Sequence, residues 1–345
     1  MQIFKELTIA LLGAAALTLG INATARAIVT FDEDAQLSLL LAPGQFSGVA
    51  RLELGVDALT GDSSGGCTGS LLRGGLHLLT AAHCLTDDNG LLDPELTVNP
   101  SFAYFNLMAG VMPIAIQDFF IQPNWSGDLA IGNDIAIVLL AEPAPTEAEQ
   151  YDLYRNTDEV GQPFTTVGYG YPGIGALGEF EVDLPIGFYG LNQFDATEAI
   201  LPTLLDEPVI AVSGSQLLFD FDNGFSDSNA LGGLGLGRAE VNIARGDSGG
   251  PALIGDRIAG ITSYGIGYPF LLTDIDLDTN GSFGELGGKT RVSTYASFVD
   301  AVLAGQVDSE LGTVAAIPEP TTILGTLTVG AWFLKRRQQK HRTKD

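Results

Sequence analysis

Glycine supplies 44 of the 345 residues. Glycine is costly inside a helix and at home in tight turns, so this composition favours a turn-rich, all-β fold over a helical one. With 46% hydrophobic residues the chain can bury a sizeable core. Short runs along it have the period of strands. Val49-Ala50-Arg51-Leu52-Glu53-Leu54 alternates like a strand half exposed to water. Gly75 to Thr80 reads as a second strand, Asp134 to Leu140 as a nearly continuous apolar one, and Leu217 to Asp222 as another.

The formal net charge is −26. Residues 1–27 carry +1 and residues 321–345 carry +5, so the segment between them carries −32. A body this acidic repels nucleic acid and anionic membrane surfaces, so no nucleic-acid partner is expected.

The chemistry concentrates in Arg245-Gly246-Asp247-Ser248-Gly249-Gly250-Pro251. Ser248 offers a hydroxyl. The N–H groups of Gly246 and Ser248 can aim at an oxygen that becomes negative when a carbonyl is attacked. Gly249 and Gly250 leave room for a substrate backbone, and Asp247 puts a carboxylate beside the site. Serine needs a base to take its proton. The histidines are His77, His83 and His341, and His83 sits in Leu78-Leu79-Thr80-Ala81-Ala82-His83-Cys84. His77 lies on a strand far from other ligand types and reads as structural. Asp134, at the head of its apolar strand, is placed to be a buried carboxylate that fixes an imidazole tautomer. Asp128, in a polar turn after Ser126-Gly127, is its rival.

The His83 and Ser248 stretches, in this order, resemble the chymotrypsin/trypsin family of serine endopeptidases, and Asn133-Asp134-Ile135-Ala136 resembles its aspartate motif. The likeness runs from about Ile28 to Leu303 and is weak over 171–240. It implies an all-β fold of two packed antiparallel β-barrels with a crossing near 141–165. Val167-Gly168-Tyr169-Gly170 would open the second barrel, and Lys289 to Ser293 followed by a helix over Tyr295 to Leu303 would close it. The implied catalytic residues are His83, Asp134 and Ser248, with the oxyanion held by Gly246 and Ser248. Asn242, six residues before the nucleophile, would be the base of the specificity pocket, and Ser263, Tyr264 and Gly265 would lie along the bound peptide. Cys67 and Cys84 would form a disulfide. No cofactor is implied, and the partner is a polypeptide substrate.

Residues 1–27 read as a secretory signal: Lys5, an apolar run from Leu7 to Gly20, then Ala23-Thr24-Ala25 and Ala25-Arg26-Ala27. The run is short of the roughly 20 residues needed to span a bilayer. Signal peptidase cutting after Ala27 would expose Ile28-Val29. In the family such an amine pairs with the carboxylate before the nucleophile, here Asp247. The sequence after Ile28 lacks the family's two glycines, so the pairing is left open. Residues 305–316 read as a linker. Residues 317–345 resemble a PEP-CTERM sorting signal: Ile317-Pro318-Glu319-Pro320, an uncharged run from Thr321 to Leu334, then Lys335-Arg336-Arg337. An exosortase-like enzyme would remove it, with transient membrane retention before that. The chain is thus expected to be exported, to the cell envelope or beyond.

Asp276, Asp278 and Asn280 follow the opening order of a calcium loop, but its twelfth position is Gly287 rather than glutamate, so no metal is expected. The sequence leads to a serine endopeptidase over 28–304. The competing expectation is a non-catalytic surface or matrix binding protein built on the same fold.

Overall fold

The computed structural model describes residues 28–312 except 183, 184, 207 and 234. The secretory signal at 1–27, the sorting signal at 317–345 and the linker from 313 lie outside the described residues.

Six strands close into a barrel in the order Val49–Leu54, Gly65–Leu71, His77–Thr80, Ala136–Leu140, Gly110–Ile121 and Phe102–Leu107, each neighbouring pair antiparallel. Alternation decides which side chains enter. In Phe102–Leu107 the buried residues are Ala103, Phe105 and Leu107, as the two-residue period of a strand requires. They meet Leu52, Leu54, Leu78, Ile114, Phe119 and Val138 in one core.

The second half is a curled sheet. Its order is Phe188–Gln193, Pro163–Gly168, Pro251–Ile254, Arg257–Ile266, Leu286–Arg291, Gln216–Asp220 and Ala196–Thr197, with Asp152–Leu153 added in parallel to Arg257–Ile266. The second expected barrel is present as a curled half-barrel: its end strands do not pair with each other among the described residues, and Phe188–Gln193 has only isolated bridges to Leu40 and Glu240 on its outer side. The reason is local. Ala196–Thr197 has only two residues before the chain turns into helical turns at Glu198–Ile200 and Leu201–Leu204, which is too little strand to seal a seam. Pro163–Gly168 begins inside the stretch expected to cross between lobes.

The two halves meet through Val49, Leu79 and Ile137 on one side and Val167, Leu253 and Ile261 on the other. The helix Val292–Leu303 docks on this seam with Val292, Tyr295, Val299 and Val302 buried. Burying each such apolar side chain stabilises the fold by about 1.5–3 kcal/mol. A small third sheet joins Gly178–Glu179, Pro172–Ile174, Ile28–Thr30 and Val241–Asn242.

Candidate active site

His83 occupies a single helical turn, Ala82–Cys84, directly after the barrel strand His77–Thr80. Asp134 precedes the neighbouring strand Ala136–Leu140. Asn133 takes the left-handed conformation at φ +65, which asparagine tolerates better than most residues. Its N–H donates to Tyr295 Oη at 2.9 Å. Thr290 Oγ1 donates to the Asp134 carbonyl at 2.8 Å, so the carboxylate is held from both lobes.

His83 Nδ1 lies 2.8 Å from Asp134 Oδ2, and the His83 backbone N–H donates to Oδ1 at 2.9 Å. Asp134 is fully buried while the His83 side chain is 27% exposed, which leaves one edge of the ring open to a reactant. Burial pulls the His83 pKa down, but the charge and hydrogen bond of Asp134 outweigh it and raise the pKa above 6.5. Burial likewise pushes the Asp134 carboxyl up; His83, Ser263 and the backbone N–H outweigh that and hold it low. Asp128 is exposed and caps its own turn through Ala130 N–H, so it has no part in this pair.

Ser248 arrives from the other lobe. Its carbonyl accepts from Thr68 N–H at 2.8 Å, and Gly249 N–H donates to the Thr262 carbonyl at 2.9 Å. Thr68 follows Cys67, whose disulfide to Cys84 fixes the residue next to His83. Thr262 precedes Ser263, whose Oγ donates to Asp134 Oδ2 at 2.5 Å. Two short routes through the fold therefore bring Ser248 to the His83–Asp134 pair. No hydrogen bond joins Ser248 Oγ to His83 among the described residues; such contacts are often long until substrate arrives.

Gly246 stands at φ +96, where a side chain is disfavoured. Neither its N–H nor that of Ser248 donates to another group among the described hydrogen bonds, so both are free for an oxyanion. Beside Gly246 opens a cavity of about 380 Å³ lined by Arg51, Cys67, Tyr171 and Arg245. Gly249 and Gly250 have a different use from the one expected. A Cβ on Gly249 would stand 2.1 Å from Thr80 Oγ1, and one on Gly250 would stand 2.4 Å from the Val167 carbonyl. The missing side chains let the chain's own strands close on the serine turn, rather than making room for substrate.

Asn242 is buried beside Val29, with Nδ2 toward the Gly281 carbonyl at 3.4 Å and Oδ1 accepting from Ile243 N–H. Tyr264 bonds through its hydroxyl to Gln216, and Gly265 is exposed. His77 is half buried, beside Phe120, its pKa lowered by that burial. Ile28 and Val29 are fully buried; the Asp247 carboxylate takes the N–H groups of Gly170 and Ala244. In the acidic loop Asp276 accepts from Asp278 N–H and from Asn280. No group of three His, Cys, Asp or Glu residues able to hold a metal ion is present among the described residues. The role of Ser263 as a donor to Asp134 was not visible in sequence, because a strand serine has no local mark of a partner 129 residues away.

The family model for trypsin matches residues 55–184, which include His83 and Asp134 but stop before Ser248. Two solved structures share the fold. One is neuropsin, a serine protease expressed in the limbic system of mouse brain, at TM-score 0.53 and 16% identity over 77% of this chain and 98% of that one. The other is described as HL collagenase, at TM-score 0.54 and 18% identity over 77% of this chain and 97% of that one. The fold is therefore the one these serine proteases share, and the trypsin family model matches the chain over residues 55–184.

Proposed function

We propose that the chain is an exported serine endopeptidase working through Ser248, His83 and Asp134. The observation that carries this reading is the buried Asp134 carboxylate bound to His83 Nδ1, with the Ser248 turn and its two free N–H groups brought alongside. Ser248 Oγ attacks the peptide carbonyl carbon while His83 Nε2 takes its proton. Asp134 stabilises the imidazolium, and the N–H groups of Gly246 and Ser248 hold the oxyanion. His83 then protonates the leaving amine, and water attacks the acyl-enzyme with His83 again as base.

The proposed preference is for neutral, medium-to-large side chains. Asn242 offers an amide where basic specificity calls for a carboxylate. The Asp274 carboxylate, which could supply a charge, is engaged by Tyr268 N–H, Asp276 N–H and Ser282 Oγ. Digestion of a mixed peptide library tests both claims. Cuts after neutral residues that vanish in Ser248→Ala are expected. Dominant cuts after Arg or Lys overturn the specificity, and undiminished cutting by Ser248→Ala overturns the mechanism. Export and sorting are proposed from the termini. N-terminal sequencing of the secreted form should read Ile-Val-Thr-Phe and its intact mass should lack Lys335 to Asp345; a retained tail argues for a plain anchor.

A further inference from the structure

The triad leaves two buried charges beside the nucleophile unused. Lys289 in the strand Leu286–Arg291 is 0% exposed. Its Nζ donates to Thr166 Oγ1 at 2.9 Å and to Thr262 Oγ1 at 2.5 Å. It also stands 5.9 Å and 5.6 Å from the ring centres of Phe164 and Phe219. Asp247 is 1% exposed, and among the described residues its carboxylate accepts hydrogen bonds only from the N–H groups of Gly170 and Ala244, each at 2.8 Å. Neither residue forms a direct ion pair among the described residues.

The strand Pro163–Gly168 places them on one face. Residues two apart on a strand point the same way, about 7 Å from one another. Phe164, Thr166 and Gly168 form such a row. The Lys289 ammonium meets the first two. The Asp247 carboxylate fills the space over the third, its Oδ1 2.1 Å from where a Gly168 Cβ would stand. A second connection runs through hydroxyls. Thr262 Oγ1, which accepts from Lys289, donates to the Gly250 carbonyl at 3.1 Å. Gly250 N–H donates back to the Asp247 carbonyl at 2.8 Å. The ammonium is therefore linked through the Thr262 hydroxyl to Gly250, at the far end of the turn that presents Ser248, and lies on the same strand face as the carboxylate at its near end.

A charge this deep is unstable without an opposite one. Burial drives the Lys289 pKa down and that of Asp247 up, and each group's charge opposes the other's shift, while Glu179 pushes Asp247 further up.

We propose that Lys289 is the counter-charge of Asp247, a positioning residue that holds the Gly246–Ser248 turn ready for an oxyanion without a free amine at Ile28. This rests on the serine-hydrolase reading of the site. It settles the open question of the Ile28 amine in favour of an internal cation. The strand Ile28–Thr30 then serves as packing, hydrogen-bonded to Pro172–Ile174 and Val241–Asn242.

The test uses secreted protein and two readouts, the melting temperature and the rate at which a fluorophosphonate acylates Ser248. Lys289→Met should slow acylation about 100-fold or more, the scale of losing one oxyanion donor, and should lower the melting temperature. Adding Asp247→Asn should restore the melting temperature toward wild type, because no lone buried charge remains. A variant with one extra Ala before Ile28 should acylate within a few-fold of wild type. Additive melting effects of the two substitutions, a wild-type acylation rate in Lys289→Met, or a 100-fold loss in the extended variant would each overturn the proposal. If Lys289→Met alone does not fold, recovery of folding in the double variant supports the pair, and the extended variant still decides the role of the amine. Absence of any labelling in wild type defeats the hydrolase reading instead, and the melting cycle then judges the pair by itself.

Discussion

Asp134 has three donors on it at once: His83 Nδ1–H, His83 backbone N–H and Ser263 Oγ. That concentration of donors fixes the imidazole tautomer with Nε2 free to accept a proton. In the proposed mechanism it also sets the pH range of the base: His83 would act only when neutral, and Asp134, outweighing burial, raises its pKa above the ordinary histidine value. The acid limb of kcat/KM should therefore rise through a midpoint above about 6.5. Asp134→Asn removes the stabilising charge, so burial then dominates. The midpoint should move below that of wild type, and kcat should fall about 10,000-fold. A pH–rate profile checks this, and an unmoved midpoint in Asp134→Asn contradicts it. At this scale the hydrogen-bonded pair of His83 and Asp134 was legible because each residue sits in a distinctive local run. Lys289 was not, because a lone lysine between Gly288 and Thr290 shows nothing of the two hydroxyls and two rings that enclose it.

The strands of the first barrel could be read directly from alternation, and Val49–Leu54 has the bounds its sequence suggests. The stretch from 171 to 240 could not. In Phe188–Gln193 the buried positions are Phe188, Gly190 and Asn192 while Leu191 is exposed. The hydrophobic period is absent because Val241 fills the space above Gly190 and Asn192 is buried by bonding the Asp220 and Val241 carbonyls. Beside this strand Asp195, Asp220, Asp222 and Glu240 line a cavity of about 130 Å³, and Asp222 Oδ1 has no hydrogen-bond partner among the described residues. Burial first, then the neighbouring carboxylates, pushes Asp222 up to about 8; burial chiefly pushes Asp195 and Glu240 up to about 7. These pKa values are raised in the folded chain above the ordinary carboxyl range near 4. The folded state thus binds these protons more tightly, and the contribution of these three groups to stability is full below about pH 4 and lost as pH rises through 7 to 8. Asp222→Asn should raise the melting temperature clearly more at pH 8.5 than at pH 5. Equal effects at the two pH values contradict this account.

On the scale of the whole molecule, two β lobes share one seam, and the site is assembled only when they meet. His83 and Asp134 come from the closed barrel, Ser248 and Ser263 from the curled sheet, and Tyr295 of the terminal helix holds Asn133 between them. The expectation of two lobes was legible because the motifs stand in order along the chain. The open second lobe was not, since nothing local marks Ala196–Thr197 as too short to complete a barrel. An arrangement built from both lobes should activate one serine and no other. The direct measurement is to expose the folded, secreted protein to a fluorophosphonate and locate the adduct by peptide mapping. A single adduct on Ser248, lost on unfolding and strongly slowed in His83→Ala, is the expected result. An unlabelled Ser248 in protein that cleaves peptides, or labelling that persists at the same rate in His83→Ala, would contradict the account.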